Sequence, residues 1–274
     1  MKELEVRIEI LKKLKSQVYL LGFKSFYIAK RASPGQLLHL KVDSKVTILR
    51  RPFSIHKIKK DKVYLFFKLR GRGTKLLSQY KKGDTLNIIG PLGNGFNCRS
   101  SVIGHRSSVL VAGGIGVAPL VFLAEKLKEM QNAKCKMQNI VLLGARTKEE
   151  ILCESEFKKM GYKVQVATED SSQGFKGTVI TLLKNLLSTI PAQGWSASGG
   201  NHQLSTNIYA CGPNPMLLEI SKILEKYPQI NCQASFEQFM GCGIGACCGC
   251  SIETKSGYKK VCKDGPVFNL REIW

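Results

Sequence analysis

Four cysteines close to the C-terminus have the spacing of an iron–sulfur site. Cys242, Cys247 and Cys250 form the pattern C-x4-C-x2-C, and Cys262 follows after eleven further residues. The opening pattern is the one that holds a [2Fe–2S] cluster in plant-type ferredoxins. The glycines between these cysteines let the backbone wrap closely around a cluster and direct N–H groups at its sulfur atoms. Cys248 has no place in this spacing and is predicted to be a bystander.

A structural zinc site and a disulfide framework are the alternatives for these cysteines. Zinc sites usually combine C-x2-C with a second such pair or with histidines, and the sequence has neither near this segment. The cysteines outside the quartet show no disulfide spacing; they are Cys98, Cys135, Cys153, Cys211, Cys232 and Cys248. The spacing therefore favours the [2Fe–2S] cluster, and a chain that holds one transfers electrons.

The composition is that of a globular chain long enough for two domains and a small appendage. It has 274 residues, 43% of them hydrophobic. The first residues lack the apolar core of a signal peptide, which predicts the reducing environment of the cytoplasm. The apolar run 107–124 is interrupted by glycines and by Pro119, which fits a strand, turn and helix better than a membrane span. We therefore expect no membrane insertion.

The formal net charge of +22 allows two interpretations, a solvated basic surface or a surface that binds nucleic acid or an acidic partner. Lysines are spread through every segment, and the densest groups lie at 57–60 and 158–159. The sequence contains no DNA- or RNA-binding motif beside them. The solvated basic surface is favoured, and no nucleic-acid partner is expected.

The elements expected to position these cysteines change type along the chain. Short apolar runs at 18–22, 37–42, 63–69 and 85–89 are separated by Pro and Gly turns, which predicts a small antiparallel β-barrel. From about residue 107 the pattern becomes strand, Gly-rich turn and helix, followed by further alternation of strands and helices. That alternation predicts a parallel sheet.

The predicted architecture is multi-domain β plus α/β. It comprises a barrel at 1–104, a parallel-sheet nucleotide-binding domain at 105–227 and a small cluster module at 228–274. Within the second domain we predict helices at 117–130, 149–160 and 214–226, strands at 139–144, 163–168 and 208–210, and a surface loop at 188–206 rich in Gly, Ser and Gln.

Two segments of the predicted barrel could hold phosphate groups. Arg51 and Ser54 lie in the run Arg50–Ile55, where a guanidinium could bind a pyrophosphate with two hydrogen bonds and a hydroxyl could bond a ring nitrogen. Gly73 and Thr74 precede a helix predicted to begin at Lys75, and a glycine turn at a helix N-terminus can bind phosphate. The alternative for each segment is an ordinary basic strand or a tight turn.

Two further segments follow strands of the predicted parallel sheet. Gly113–Pro119 gives G-x-G-x-x-P from Gly114, which lacks the third glycine of the dinucleotide fingerprint but keeps a helix N-terminus for phosphate. The run 211–216 lies at the carboxyl end of another strand, where open α/β sheets bind ligands. Tight turns and a small buried cysteine are the alternatives. No role is assigned to the histidines, which are His39, His56, His105 and His202.

These motifs together resemble a known family. R-x-[YF]-S, G-G-x-G-x-A-P-L and C-G-P-x-P-M are the marks of ferredoxin–NADP reductase-like flavoproteins. C-G-I-G-A-C-x-G-C with a later V-C-x-D-G-P-V-F is similar to the iron–sulfur flavoprotein that serves as the electron-transfer subunit of class 1B dihydroorotate dehydrogenases. The resemblance spans nearly the whole chain, and the cluster segment is its most specific part.

The resemblance implies a set of cofactor-binding residues. The barrel would bind FAD, the parallel-sheet domain NAD as co-substrate, and the C-terminal module the [2Fe–2S] cluster. The implied FAD residues are Arg51, Pro52, Phe53, Ser54, Lys68, Leu69, Arg70, Gly73 and Thr74. The implied NAD residues are Gly113, Gly114, Gly116, Cys211, Gly212 and Pro213. The cluster ligands are Cys242, Cys247, Cys250 and Cys262. No catalytic side chain is expected, because a hydride passes directly between cofactors.

The resemblance also implies a function and a partner. An FMN-containing dihydroorotate dehydrogenase catalytic subunit would oxidise dihydroorotate to orotate in pyrimidine (UMP) biosynthesis. Electrons would reach NAD⁺ through the cluster and FAD of this chain, in a heterotetramer with two copies of each subunit. An alternative is an NAD(P)H-linked reductase subunit of a hydrogenase, sulfide reductase or ferredoxin reductase complex. A nucleic-acid-associated iron–sulfur protein is a third class, disfavoured by the two dinucleotide-type turns.

The approach of a partner predicts that the cluster loop lies at the surface. The segment 241–249 consists almost entirely of small residues, which allows another backbone to approach. The C-terminal segment 267–274 contains Phe268, Leu270 and Trp274, which could anchor a partner. The alternative is that these apolar side chains pack within their own chain.

Overall fold

A computed structural model gives the structure of residues 1–15, 17–42, 47–98, 107–130, 139–189 and 206–274. They form two compact units. The first consists of Met1–Gly95 and Phe236–Val267, and the second of Phe96–Ser235 and Phe268–Trp274. The predicted division into three domains stays a prediction.

The first unit is built on a closed six-stranded antiparallel barrel, as predicted, with strand order β1-β2-β5-β4-β3-β6. The strands are β1 (Lys2–Lys15), β2 (Val18–Lys24), β3 (Leu37–Lys41), β4 (Arg51–Lys59), β5 (Lys62–Lys68) and β6 (Thr85–Leu92). Two short helices accompany them, α1 (Phe26–Arg31) and α2 (Arg72–Leu77).

The barrel core follows from period-two alternation along its strands. In β6, Leu86, Ile88 and Leu92 are buried and Thr85 is exposed. Each buried side chain of this size contributes ~1.5–3 kcal/mol relative to an exposed one. Strand β1 carries the same alternation less visibly, because charged residues surround its buried Val6 and Ile8. For that reason β1 is less distinct in the sequence than the other barrel strands.

The second unit contains a seven-stranded sheet in the order β10-β9-β8-β7-β11-β12-β15, in which β15 is the short strand Val267–Asn269. Its strands include β7 (Ser108–Gly113), β8 (Ile140–Ala145), β9 (Lys163–Thr168), β10 (Phe175–Lys176), β11 (Asn207–Cys211) and β12 (Asn231–Ser235). The pairs from β10 through β7 to β12 are all parallel, which confirms the predicted parallel sheet. The helices are α3 (Val117–Met130), α4 (Glu154–Lys159), α5 (Val179–Ser188) and α6 (Asn214–Leu224).

The helices of this unit differ from the prediction in two places. The helix predicted at 149–160 is a 3₁₀ turn at Lys148–Glu150 followed by the shorter α4, and Cys153 between them has φ +62°. Helix α5 was not predicted, although Thr178 caps its start by accepting the Thr181 N–H at 3.4 Å. Of the predicted loop at 188–206, residues 190–205 lie outside the described residues.

The C-terminal part of the first unit consists mostly of irregular backbone and one hairpin, β13 (Ser251–Thr254) with β14 (Gly257–Lys260). After the hairpin, β15 (Val267–Asn269) takes the edge position of the parallel sheet, and helix α7 (Leu270–Ile273) ends the chain. Within the six described ranges, no helix is both long enough and apolar enough to cross a membrane.

Asn94, directly after β6, holds the segment that follows the hairpin. Its side-chain Nδ2 donates to the carbonyl oxygens of Lys263 (3.2 Å) and Asp264 (3.1 Å). Its backbone N–H donates to the Gly265 oxygen, and its carbonyl accepts the Val267 N–H. Asn94 therefore makes hydrogen bonds to four residues between Lys263 and Val267, about 170 positions away in sequence.

Helix α5 supplies a test of packing on the parallel sheet. Leu183→Ala should lower the free energy of unfolding by ~2–5 kcal/mol, because Leu183 is fully buried. Its neighbour Lys184 is exposed, so Lys184→Ala should change stability by less than about 0.5 kcal/mol. Urea denaturation followed by circular dichroism compares the two variants. If both substitutions lowered the free energy of unfolding equally, the placement of Leu183 on the buried face of α5 would be wrong.

Candidate cluster and dinucleotide sites

The four predicted cluster cysteines are brought together around the hairpin of the first unit. Cys242 and Cys247 lie on the irregular segment before β13, Cys250 directly precedes β13, and Cys262 follows β14. Because the hairpin returns the chain, the Val261 N–H bonds the Cys250 carbonyl at 3.1 Å. The Cys262 N–H points at the Cys250 sulfur at 3.4 Å. Cys250 and Cys262, which are separated in sequence by the whole hairpin, are thus neighbours in the structure.

The sulfur of Cys242 receives backbone hydrogen bonds from its own loop. The N–H of Cys247 approaches it at 3.4 Å and that of Ile244 at 3.5 Å. Burial raises the pKa of Cys242, but these N–H groups outweigh that effect and lower the pKa to about 6. At neutral pH this side chain is therefore a thiolate, the form that binds metal.

The sulfur atoms form two pairs. The Cys247 side chain bonds that of Cys242, and the Cys250 side chain bonds that of Cys262. Burial, with the contact to Cys250 adding to it, raises the pKa of Cys262 to about 12. The negative charge at Cys242 acts on Cys262 in the same direction, so the two pairs face each other. Two thiol pairs fit a cluster with two irons, each iron taking one pair.

The backbone around the quartet fits a bulky inorganic group. Gly243 has φ +73° and Gly245 has φ +85°, a conformation that glycine adopts readily. A Cβ added at Gly241 would lie 3.3 Å from the Cys247 sulfur, so a larger residue there would crowd this ligand. The donor set, the directed N–H groups and the open loop all suit a [2Fe–2S] cluster.

The cluster loop lies at the surface, as expected. Cys247 is exposed, together with Cys248, which has φ +58° and an oxygen that accepts the Ser251 N–H and hydroxyl. Cys250 and Cys262 are buried beneath them. No disulfide joins any of the cysteines in the described ranges.

Two of the three apolar anchors considered in the C-terminal segment are buried. Phe268 is 4% exposed and Leu270 is 1% exposed, so both pack within their own chain. Trp274 is 37% exposed. The large apolar side chains that reach solvent near the cluster loop are instead Phe239 (91% exposed), Ile244 and Tyr258. The expectation that Phe268 and Leu270 face a partner was wrong, because they complete a core.

The predicted FAD residues converge at one end of the barrel. Strand β4 starts at Arg51 and its antiparallel neighbour β5 ends at Lys68, so the residues following β5 lie beside the start of β4. Arg51, Pro52, Phe53 and Ser54 form a half-buried strip, and Leu69 is likewise half-buried while Arg70 is exposed. Such a strip has apolar surface for a ring and polar groups for its substituents.

Helix α2 begins three residues earlier than predicted, so Gly73 and Thr74 lie within its first turn. The Thr74 hydroxyl accepts the N–H groups of Arg70 (2.9 Å) and Gly71 (3.2 Å). A Cβ at Gly73 would lie 2.9 Å from Nε of Arg51, so the guanidinium packs on this turn. A cation and backbone N–H groups at one helix start are the features that a phosphate group needs.

The predicted NAD residues lie at the carboxyl ends of two adjacent parallel strands of the second unit. Cys211 of β11 pairs with Ala112 of β7, so the turn 113–116 and the turn 211–213 are neighbours. A Cβ at Gly116 would lie 2.3 Å from the Cys211 oxygen, and one at Gly113 would lie 2.8 Å from the Met216 sulfur. Both glycines therefore allow the two turns to pack closely, because a side chain at either position would collide with the segment 211–216.

Gly114 differs from its neighbours. It has φ +55°, and outside its own turn no atom of the described residues lies within 4 Å of the position its Cβ would take. The open face of the turn is therefore at Gly114, directly before the 3₁₀ turn that leads into α3. This is the side on which a dinucleotide phosphate could meet the helix N-terminus.

The sequence missed two side chains at the cluster site. The ring of His39, to which no role was assigned, lies against Gly243. Lys260 Nζ donates to the Gly245 oxygen at 2.8 Å. A histidine within the otherwise apolar run Leu37–Leu40 was the available signal for His39. Nothing in the spacing pointed to Lys260. His105 and His202 lie outside the described residues.

Comparison with known families agrees with this arrangement. Residues 237–274 match the family described as the iron–sulfur cluster binding domain of dihydroorotate dehydrogenase B. Residues 110–222 match the oxidoreductase NAD-binding domain. These ranges contain the cysteine quartet and the two glycine-containing turns of the parallel sheet.

Solved structures share the fold. The structure of an NADH-dependent reduced ferredoxin–NADP oxidoreductase, reported for flavin-based electron bifurcation, superposes with a TM-score of 0.80 and 26% identity, covering 98% of this chain and 89% of that one. A ferredoxin–NADP⁺ reductase from Neisseria gonorrhoeae gives a TM-score of 0.68 at 17% identity, covering 86% of this chain and 100% of that one.

Two relatives are similar over almost their whole length, and both are named dihydroorotate dehydrogenase B (NAD(+)), electron transfer subunit. The one from Desulforamulus reducens is 39% identical, with 93% of this chain and 92% of the relative covered. The one from Caldanaerobacter subterraneus is 34% identical, with 99% and 98% covered. The chain belongs to the family of electron transfer subunits of dihydroorotate dehydrogenase B.

Proposed function

We propose that this chain is the electron-transfer subunit that connects dihydroorotate oxidation on a catalytic partner with the reduction of NAD⁺, in the synthesis of pyrimidines. The observation that carries the proposal is the cysteine quartet, in which Cys247 is exposed and the four thiols form two pairs with backbone N–H groups on one sulfur. It occurs in a chain whose relatives bear the name of this subunit.

The chain's own residues divide the work of holding three groups. Cys242, Cys247, Cys250 and Cys262 would hold a [2Fe–2S] cluster, and the loop glycines leave room for it. When bound, a cluster carries single electrons, a flavin exchanges one or two, and NAD⁺ accepts a hydride. A flavin is the group that can link the other two, which is why a flavin site is proposed in the barrel.

The proposed FAD site is the half-buried end of the barrel. Arg51 would bind the pyrophosphate, helped by backbone N–H groups of the α2 turn at Gly73 and Thr74. Phe53 would offer apolar contact and Ser54 a hydroxyl to the ring system. The remaining members of the set are Pro52, which belongs to the strip, and Lys68, Leu69 and Arg70, which border it.

The proposed NAD site lies at the carboxyl edge of the parallel sheet. Gly114 would leave the turn open to a phosphate, while Gly113 and Gly116 keep the turn close to Gly212. Cys211 and Pro213 would border the nicotinamide. No acid or base is assigned to this chain, because its residues only bind, orient and separate the groups they hold.

The partner proposed for the chain is an FMN-containing dihydroorotate dehydrogenase catalytic subunit, in an assembly of two copies of each. The exposed cluster loop, with Phe239 and Ile244 beside it, supports an approach from this side. A cytoplasmic location is proposed as well, since reduced cysteines and a thiolate-bound cluster suit a reducing compartment.

A second candidate is a subunit of a reductase complex that uses NAD(P)H and ferredoxin. The observation that favours it is the similarity over 98% of the chain to the NADH-dependent reduced ferredoxin–NADP oxidoreductase. The greater identity to the dihydroorotate dehydrogenase relatives, 39% against 26%, supports the first candidate.

Reconstitution with the partner tests the function. The isolated chain, prepared anaerobically, should reduce a dye with NADH and should not oxidise dihydroorotate, because it offers no substrate base. Addition of the catalytic subunit from the same organism should produce NADH from dihydroorotate and NAD⁺. Orotate formation by the isolated chain would contradict the division of labour. Ferredoxin-dependent activity without any dihydroorotate activity would favour the second candidate.

Replacement of adjacent cysteines tests the ligand assignment. Cys247→Ser should lower the iron content from about two per chain to less than half of that, because a thiolate ligand is lost. Cys248→Ser is the matched control, since Cys248 is equally exposed and is predicted to be a bystander; it should keep iron content and visible spectrum. Loss of the cluster spectrum in Cys248→Ser alone would show that the ligand set is wrong.

Replacement of one arginine tests the flavin site. Arg51→Ala should weaken FAD binding by about tenfold or more, because a charged hydrogen bond to phosphate contributes ~1.5–3 kcal/mol. Arg7→Ala removes an exposed arginine from β1 and should leave FAD affinity unchanged. Flavin fluorescence during titration of the FAD-free chain measures both. If the two variants bound FAD with equal affinity, Arg51 would not be a ligand of the pyrophosphate.

A further inference from the structure

His39 is a completely buried imidazole on barrel strand β3. It pairs through its backbone with Pro52 and Ile89 of the two neighbouring strands, and Leu38 and Leu40 occupy the opposite face of β3. Neither ring nitrogen makes a hydrogen bond of good geometry within the described residues, although the Cys242 backbone lies close enough to act on the ring. A neutral imidazole carries one donor and one acceptor, and buried polar groups are nearly always partnered.

The ring lies directly against the cluster loop. A Cβ at Gly243 would lie 2.3 Å from Nδ1 of His39 and 3.0 Å from its Cγ and Cε1. Any side chain at position 243 would therefore collide with the imidazole, independently of the positive φ of this residue. The Nδ1 atom faces the backbone immediately after Cys242.

The conformation of Gly243 sets the direction of the next N–H group. That group belongs to Ile244 and lies 3.5 Å from the Cys242 sulfur. Hydrogen bonds to the sulfur atoms are one of the factors that set the reduction potential of an iron–sulfur cluster. An imidazole that fixes the conformation of Gly243 also fixes the peptide group between Gly243 and Ile244. The N–H of that peptide group is the one that approaches the Cys242 sulfur.

The surroundings disfavour the protonated form of the ring. Burial lowers the pKa of His39, and the nearby Arg50 guanidinium acts in the same direction, while the Cys242 backbone opposes them. Arg50 itself bonds Glu3 at 2.6 Å and the His39 carbonyl at 3.4 Å, so its side chain is fixed beside the strand. The imidazole therefore acts as a hydrogen-bonding and packing group.

We propose that His39 is a positioning residue for the iron–sulfur centre. Its Nδ1 takes a partner from the Cys242–Gly243 segment when the cluster is bound. This contact holds the Ile244 N–H on the Cys242 sulfur and so raises the reduction potential of the cluster. The inference rests on the proposed function, because it requires a [2Fe–2S] cluster at the quartet.

Three substitutions of His39 separate this role from simple packing. His39→Asn keeps a polar atom near the position of Nδ1, His39→Gln keeps one near Nε2, and His39→Leu keeps neither. Each full-length variant is loaded with iron anaerobically, its iron content is measured, and its cluster is titrated with dithionite while the reduced signal is followed by electron paramagnetic resonance. His56→Leu removes another buried imidazole of the barrel, whose ring stacks on Phe66 at 3.8 Å, and serves as the control.

His39→Leu and His39→Gln should lower the reduced-to-oxidised ratio at a fixed potential by about tenfold, which is ~59 mV for a one-electron couple. His39→Asn should stay within about threefold of the unsubstituted chain, as should His56→Leu. If His39→Leu does not retain iron, the comparison of His39→Asn with His39→Gln decides the proposal. Equal potentials in the Asn, Gln and unsubstituted chains overturn it.

Failure of the proposed function gives a different result. In that case the unsubstituted chain itself binds no cluster and shows no reduced signal. If the unsubstituted chain has the signal and the His39 variants share its potential, only the role of His39 is wrong.

Discussion

The attachment of the cysteine segment to the barrel is the constraint on which the cluster site depends. Asn94 supplies it, because its side chain and backbone pair with successive groups between Lys263 and Val267. Gly93 must lack a side chain for this contact, since a Cβ there would lie 2.3 Å from the Gly265 oxygen. The hairpin holds Cys262 beside Cys250, and this junction attaches the segment after Cys262 to the barrel.

The two thiol pairs differ in what surrounds them. Cys250 and Cys262 are buried, while Cys247 is exposed and Cys242 is intermediate. Packing in the interior holds the Cys250–Cys262 pair, whereas backbone N–H groups hold the Cys242–Cys247 pair and also favour the thiolate form of Cys242. One side of the site is thus rigid and shielded, and the other is reachable from outside. A centre that must be held firmly and still exchange electrons with another protein needs both properties.

The features that the sequence predicted were those encoded locally. The cysteine spacing, the alternation in strands such as β6 and the glycine turn before α3 are each contained within about twenty residues, and the barrel and parallel sheet followed from them. Strand β1 was less distinct than the other barrel strands because its charged residues hide a buried alternation, and α5 was not predicted although its buried residues recur at helical spacing.

The contacts between distant segments could not be predicted. Whether His39 meets Gly243, or Phe268 faces inward, depends on contacts between positions far apart in the chain. The hydrophobic periodicity of the sequence carries no information about such contacts, and a histidine in an apolar strand is compatible with many partners. The burial of Phe268 and Leu270 likewise reflects the position of β15 at the sheet edge, which three residues of sequence do not specify.

The discontinuous first unit has a consequence for the order of synthesis. Its barrel strands are made first, but residues 236–267 leave the ribosome only after nearly all of the second unit. The second unit can therefore begin to fold while the first still lacks its final segment. The four cluster cysteines follow residues 96–235 in the chain, so the metal centre can be assembled only after nearly all of the second unit has been synthesised. Early release of the nascent chain would leave a barrel without any of its sulfur ligands, and iron would not be captured by a partly made protein.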